Sequence, residues 1–372
     1  MTAFAHDSDA GPAVSATGPA FRAGPRLCSL DDILVAAGLS GGLAAFRAAW
    51  ARRRAAAAAA AGLAPDPAAI EAATAAFRYA RDLVSAEECE RWLNQRGLSF
   101  AELTASVTRR LQAGLATAEE SAAPDERAGE DGEQEARFRT DALLADEFTG
   151  WARGLAWRLA LAQEQDALPA DETAGKPGQN GKVQGGSRGR ESVAVGDRNS
   201  HRLTSAATGS LADAWPELEA RFTAVCAALA TPERHRRELA GQRLQLLRLE
   251  LAAAEFESEA AAREASLCAR EDGVALAVVA EANGFPVFNH VAFLGDLTPD
   301  WQQALISARP GDVTPPLTGG DVAVVLQLLG KREPSLDDAA VCARLDADLR
   351  RQHFGELEAK HVRWLINVEV ER

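Results

Sequence analysis

Apolar positions recur at three- and four-residue spacing over much of the chain. Ile70, Ala73, Phe77 and Ala80 share one face of a helix that Asp66 can cap, with Pro67 in its first turn. Ser85 with Glu88, and Ser99 with Glu102, read as capping boxes, in which a hydroxyl and a carboxylate each take a backbone N–H at the helix start. The helices they open carry Cys89, Trp92 and Leu93, then Leu103, Val107 and Leu111, and Gly97 between them fits a left-handed stop. Ser29 with Asp32 is a further box. The alanine tract in 42–61 reads as a long helix, because alanine loses no side-chain entropy there. Phe138, Leu144, Phe148, Trp151, Leu155 and Leu159 predict one helix over 138–164, and Leu211, Trp215, Leu218, Phe222, Val225 and Leu229 another. Thr231 caps the next, with Pro232 at its first position. The run LQLLRLEL from Leu244 fits period two as well as a helix. No turn residue interrupts 236–270, so the reading is helix as far as Asp272-Gly273.

After Gly273 the texture changes. VALAVVAEAN predicts a short helix ended by Gly284, and FPVFNHVAFL a strand. TPDWQQALISA predicts a short capped helix, and DVAVVLQLLGK a strand buried on both faces. A helix should follow from about Leu336, capped by Ser335. HVRWLINVEV alternates, with Val362, Trp364, Ile366, Val368 and Val370 on one face of a strand. The fold class is therefore mainly α with a small α+β module. The segments are a disordered stretch 1–25, a helical domain 26–165, a flexible linker 166–210, a helical segment 211–272, the module 273–335, and a helix and strand over 336–372. Within the second of these, the acidic stretch 116–137 reads as an exposed connection.

Charge and chemistry narrow the function classes. The formal net charge is −14, which argues against a nucleic-acid partner that needs its phosphates neutralised. Arg52-Arg53-Arg54 and His235-Arg236-Arg237 read as solvated helix faces. The five cysteines lie far apart with no C-x-x-C pair, which fits reduced thiols and a cytoplasmic location. No secretory leader and no membrane-length apolar run is visible, so no membrane partner is expected. The GGSRG stretch lacks the strand and the Gly-Lys-Ser/Thr ending of a phosphate loop. No metal-ligand cluster, catalytic triad spacing or dinucleotide fingerprint stands out, so no cofactor and no metal are expected. Of the six histidines only His290 falls in the α+β module. Cys268 reads as a small packed helix residue, and Asp272 and Asp296 as turn residues.

Gly295, Leu297, Pro299, Trp301, Ala304-Leu305, the turn Pro310-Gly311-Asp312-Val313 and Pro316 follow one another in an order that resembles the second half of a parvulin-type peptidyl-prolyl isomerase domain. The stretch AFRYARDLVSAEECERWLNQRGLSFAEL within 67–115 resembles the N-terminal module of SurA-like chaperones. The phrases AAREASLCAREDG and KREPSLDD resemble parvulin-related proteins encoded with peptide-maturation systems. The resemblance implies a SurA-like helical chaperone domain plus a degenerate parvulin-like domain. It implies a cytoplasmic peptide-binding chaperone or isomerase homologue whose partner is an extended client or precursor peptide, with a peptide-modifying enzyme as a further partner. In that family the strand and helix that border the groove correspond to those carrying Phe285, Phe288 and Trp301, which are therefore the candidate peptide-binding residues. The family also carries a histidine in its first strand and another in its last. The last strand here, Val322-Ala323-Val324-Val325, has none, and the first strand is not evident, so the catalytic residues stay unassigned. Two alternatives remain: an active isomerase with rearranged catalytic groups, and a non-catalytic helical scaffold for a modifying enzyme.

Overall fold

The computed structural model describes residues 18–60, 62–115, 132–167, 210–319 and 322–368. Most of the expected linker, the acidic connection up to 131, the first 17 residues and Val370 lie outside the described residues. The chain divides into two compact units, Met1–Ala224 with His353–Arg372, and Val225–Gln352. No single helix among the described residues is long and apolar enough to cross a membrane.

The first unit is built on local signals. Helices α1 (Leu30–Leu39), α4 (Ala86–Gln95) and α5 (Phe100–Gly114) each begin with a complete capping box, from Ser29, Ser85 and Ser99. Asp66 caps α3 (Pro67–Tyr79) through the Ala68 N–H, and α2 (Gly42–Ala59) covers the alanine tract. Gly97 takes φ +65°, and the Leu98 N–H returns to the Leu93 carbonyl at 3.0 Å, which closes α4 as the sequence required. Phe77 meets Trp92 edge-on at 5.7 Å, and the Arg96 guanidinium lies 3.6 Å from the centre of the Trp92 ring.

Three expectations change here. The stretch expected to be disordered contains β1 (Pro19–Ala23), which pairs antiparallel with β2 (Arg26–Ser29) and with β7 (Val362–Trp364). Phe21 and Ala20 are fully buried, and one of their strand partners lies near the other end of the chain, so local composition gave no sign of it. The helix expected over 138–164 is two helices, α6 (Gly132–Leu143) and α7 (Glu147–Ala167). Arg81 binds the Leu144 carbonyl at 3.3 Å and pairs with Asp146, which holds the break between them. The terminal strand is short. Ile366 and Val368 are buried beyond it without ladder pairing, so the alternation marked burial correctly and overstated the strand. None of the five cysteines is in a disulfide, and burial pushes the Cys28 thiol up to about 12.

The boundary between the units falls within α8 (Leu211–Leu229), whose Leu211, Trp215 and Leu218 belong to the first unit's core; in the second unit α9 (Pro232–Gln242) follows, capped by Thr231. The expected long helix over 236–270 is then replaced by β3 (Arg248–Phe256), followed by α10 (Glu259–Glu271). The period-two alternative is the one the fold uses, and the boundary at 272/273 cuts through a single sheet. That sheet is antiparallel with strand order β4-β3-β6-β5, where β4 is Val287–Phe293, β5 is Leu317–Gly319 and β6 is Val322–Arg332. Leu249, Leu251 and Ala253 of β3 join Val324, Leu326 and Leu328 of β6 on one face. On the other, Ala254, Phe256 and Val325 pack with α10 and α11 (Leu276–Ala282). The short helix α12 (Pro299–Ile306) covers part of the first face.

The last helix, α13 (Ala339–His361), starts later than expected. Asp338 accepts the Ala340 N–H at 2.9 Å, while Ser335 instead accepts the Asp337 N–H within a turn. Asp338 also receives Arg248 at 2.8 Å. The Ala340 N–H first, then Arg248, hold its carboxyl below the ordinary range. A carboxyl depressed on folding stabilises above its unfolded pKa and loses that contribution as the pH falls through its folded value. Asp338→Asn keeps the cap acceptor and removes the charge. It should lower the urea midpoint at pH 7, and the gap to the parent should close as the pH falls below about 4.

Candidate functional site

Strand β4 stands at one edge of the four-stranded sheet, hydrogen-bonded to β3 over seven residue pairs, Arg248↔Phe293 to Ala254↔Val287. Among the described residues no other strand joins its outer side. In an antiparallel pair every second residue turns its N–H and C=O away from its partner, so about half of the strand's backbone groups face outward. Edge strands of soluble proteins are usually guarded by charge, by proline or by being short. Within Val287–Phe293 there is no charged carboxylate or ammonium and no proline, and the strand spans about 24 Å. Phe288 and Val291 are each 52% exposed on it.

Residues directly opposite across a sheet share a face. Phe288 pairs with Ala253, which pairs with Leu326, and His290 pairs with Leu251, which pairs with Leu328. Phe288 and His290 therefore project on the leucine-rich face, and both are exposed. Trp301 of α12 packs on that same face against the buried leucines, with an indole N–H that is buried and has no hydrogen-bond partner among the described residues. Phe285 lies apart from them. It packs beside Phe256 at 4.7 Å, on the face covered by α10 and α11. The three aromatic residues thus do not form one cluster: Phe288 and Trp301 share a face and Phe285 serves the opposite one.

The segment from Gly295 to Pro316 sets the boundary of this face. Pro299 starts α12, and Lys331 of β6 ends it, its ammonium donating to the Ile306 carbonyl at 2.7 Å and to the Ala308 carbonyl at 3.3 Å. Gly311 then takes φ +99°, a conformation that needs glycine, and its N–H meets the Leu328 carbonyl at 2.7 Å. The Pro310–Val313 turn therefore docks along β6 and closes the sheet on the side opposite β4. A concavity of about 470 Å³ sits between this turn, α10 and α12. Three of its polar side chains are engaged: Asp312 holds the Arg309 N–H at 2.8 Å, Gln327 holds the Leu276 N–H at 3.0 Å and Thr314 takes the Leu326 N–H at 3.0 Å, while Arg270 and Ser307 also line it. Hydrogen bonds from the turn and from α11 thus cross this concavity, and the unpaired backbone edge of the unit lies at β4 among the described residues.

Cys268 is partly buried on α10, Asp272 ends that helix, and Asp296 pairs with Arg344 at 2.9 Å. Neither β3 (RLELAAAEF) nor β6 (VAVVLQLLGKR) carries a histidine. Among the described residues no group of His, Cys, Asp and Glu is placed to hold a metal ion. Sequence reasoning missed β3, the strand that makes β4 an edge. The signal was present in the leucines at 247, 249 and 251, which fit period two.

No family model and no curated protein matches the sequence. A solved chain from work on PEB4 and Cj1289, two structurally related SurA-like chaperones of Campylobacter jejuni, matches at 11% identity over 44% of this chain and 69% of its own, with a TM-score of 0.17. A match at that score carries no weight for function.

Trp301 and Phe288 should separate by their stability costs. Trp301→Ala removes a ring packed on buried leucines and should cost about 3 kcal/mol. Phe288→Ala removes an exposed ring and should stay within about 0.5 kcal/mol. Urea denaturation of both variants checks this, and equal costs would place Phe288 in the core.

Proposed function

We propose that the second unit is a parvulin-like peptide-binding module that takes an extended peptide as an added strand on β4. The observation that carries this is the uncharged, unguarded edge of β4, with Phe288 projecting beside it. Strand addition gives affinity through main-chain hydrogen bonds and specificity through alternate side chains, so the client need only be unfolded and apolar at every second position. The order β3, α10 and α11, β4, α12, the Pro310–Val313 turn and β6 supports the parvulin reading, since it keeps the sequence order on which the resemblance rests. The helical first unit would be the SurA-like partner of this module. The phrases shared with parvulin-related proteins of peptide-maturation systems support a precursor peptide as the client, and the wide spacing of the cysteines, with no C-x-x-C pair, supports a reducing, cytoplasmic setting.

Binding without isomerisation is the reading favoured by the strands themselves. Prolyl rotation has a barrier of about 18–20 kcal/mol. Lowering it takes placed polar groups, about 1.4 kcal/mol for each tenfold in rate. The leucine-rich face offers His290 at its rim, and neither β3 nor β6 carries a histidine. A protease-coupled assay on X-Pro tetrapeptides should show no acceleration. Acceleration matching an intact parvulin would favour the active-isomerase alternative.

The binding test uses fluorescent ten-residue peptides with Val, Ile or Phe at alternate positions, titrated into the full chain. Two versions carry N-methyl groups on every second amide, in opposite phase. One phase should bind like the parent peptide and the other should lose binding, because only one set of amides meets the edge. Phe288→Ala should weaken binding about tenfold, or about 1.4 kcal/mol. Equal binding of both methylated phases would exclude strand addition.

A further inference from the structure

The first unit holds a cavity of about 290 Å³ between α2, α5 and α6. Arg53, Arg54, Arg109, Arg110 and Arg137 line it, with Asp141 as its one carboxylate. In a chain of net charge −14 this is a strong local reversal of sign.

The carboxylate is already saturated. Asp141 accepts Ser106 Oγ at 2.5 Å, Trp50 Nε1 at 2.8 Å and an Arg109 guanidinium N–H at 2.9 Å. Arg54 donates to the neutral Gln134 amide, and Arg137 pairs with Glu133 on its own helix. Arg53 and Arg110 donate no hydrogen bond and make no ion pair among the described residues. Arg53 is partly buried with its guanidinium 5.5 Å from the Phe46 ring, while Arg110 and Arg137 reach the solvent at the rim. Partial burial of the Arg110 side chain below its exposed tip lowers its pKa; the Asp141 charge opposes this and the Arg53 charge reinforces it. Like charges gathered around a hollow repel one another, and guanidinium forks bind tetrahedral oxyanions through paired N–H groups. Trp50, Ala57 and Ala58 give the cavity an apolar wall.

We infer that this cavity is a binding site for a small polyanion carrying a diphosphate or a group of equal charge density, held by Arg53 and Arg110 with Arg54, Arg109 and Arg137 around it. The inference is independent of peptide binding at β4. Arg53 and Arg54 belong to the run Arg52-Arg53-Arg54 that the sequence alone presents as a solvated helix face. Arg52 is exposed in the fold, while its two neighbours turn inward to meet the Arg109-Arg110 pair of α5.

The test is thermal denaturation of the full chain in a phosphate-free buffer at physiological salt, with millimolar pyrophosphate or ADP. Pyrophosphate should raise the midpoint by about 2–4 °C. A matching shift with ADP assigns the organic part of the ligand to the apolar wall, and no shift with ADP assigns the site to the free anion. Arg53→Gln with Arg110→Gln should abolish the shift, while Arg236→Gln, at an exposed site in the other unit, should keep it. If the double variant does not fold, titration calorimetry on Arg110→Gln alone should show at least tenfold weaker pyrophosphate binding. An undiminished shift in the double variant, tight binding to a folded Arg110→Gln, or no shift in the parent overturns the inference. So does a parent that binds nothing while a chain with Glu119, Glu120, Asp125, Glu126, Glu130 and Asp131 changed to their amides binds pyrophosphate, since the arginines would then serve the chain's own acidic stretch.

Discussion

The second unit depends on one constraint: β3, Arg248–Phe256, is hydrogen-bonded on both sides and buried on both faces. Its backbone is shared between β4 and β6, its leucines feed one apolar cluster, and Ala254 and Phe256 feed the other. Burial of this kind satisfies each N–H and C=O internally while removing apolar surface from water on two sides. The resulting strand order leaves β4 outermost. On the far side of the sheet β6 is covered by β5 and by the docked Gly311–Thr314 stretch, so the two edges are not equivalent. The candidate site is the edge that no strand among the described residues covers.

Much of the first unit could be read from the sequence because its instructions are local. A capping box places its serine and its carboxylate three residues apart, and a glycine after a helix declares its stop without help from distant residues. The boundaries at Ser29, Asp66, Ser85, Gly97 and Ser99 all belong to this kind. The misreadings share the opposite property. β1 is held by a strand hundreds of residues away, the break after Leu143 is held by Arg81, and β3 takes extended form because two strands pair with it. Propensity favoured a helix over 244–256, and tertiary pairing outweighed it.

The candidate site was partly legible for a related reason. The strand expected in FPVFNHVAFL is present as β4, with Phe288 on it. Phe285 lies three residues before Phe288, and an odd separation along extended chain puts side chains on opposite faces. Period-two counting alone therefore separates them, whatever the sheet order. That β4 is an edge could not be counted, because it depends on β3 having its other side filled by β6. The arginine cavity was illegible in the same sense: two short basic runs on α2 and α5 look solvated one at a time, and only the packing of those helices turns them toward one hollow.

Strand addition at β4 is tested most directly by amide hydrogen exchange on the full chain, with and without saturating peptide. The fragment spanning Val287–Phe293 should exchange more slowly in the complex, with protection at alternate residues, because the outward N–H groups gain carbonyl partners. The β3 and β6 amides, already paired, should change little. Peptide that binds while the β4 amides exchange at their unbound rate would contradict the proposal and move the site elsewhere on the chain.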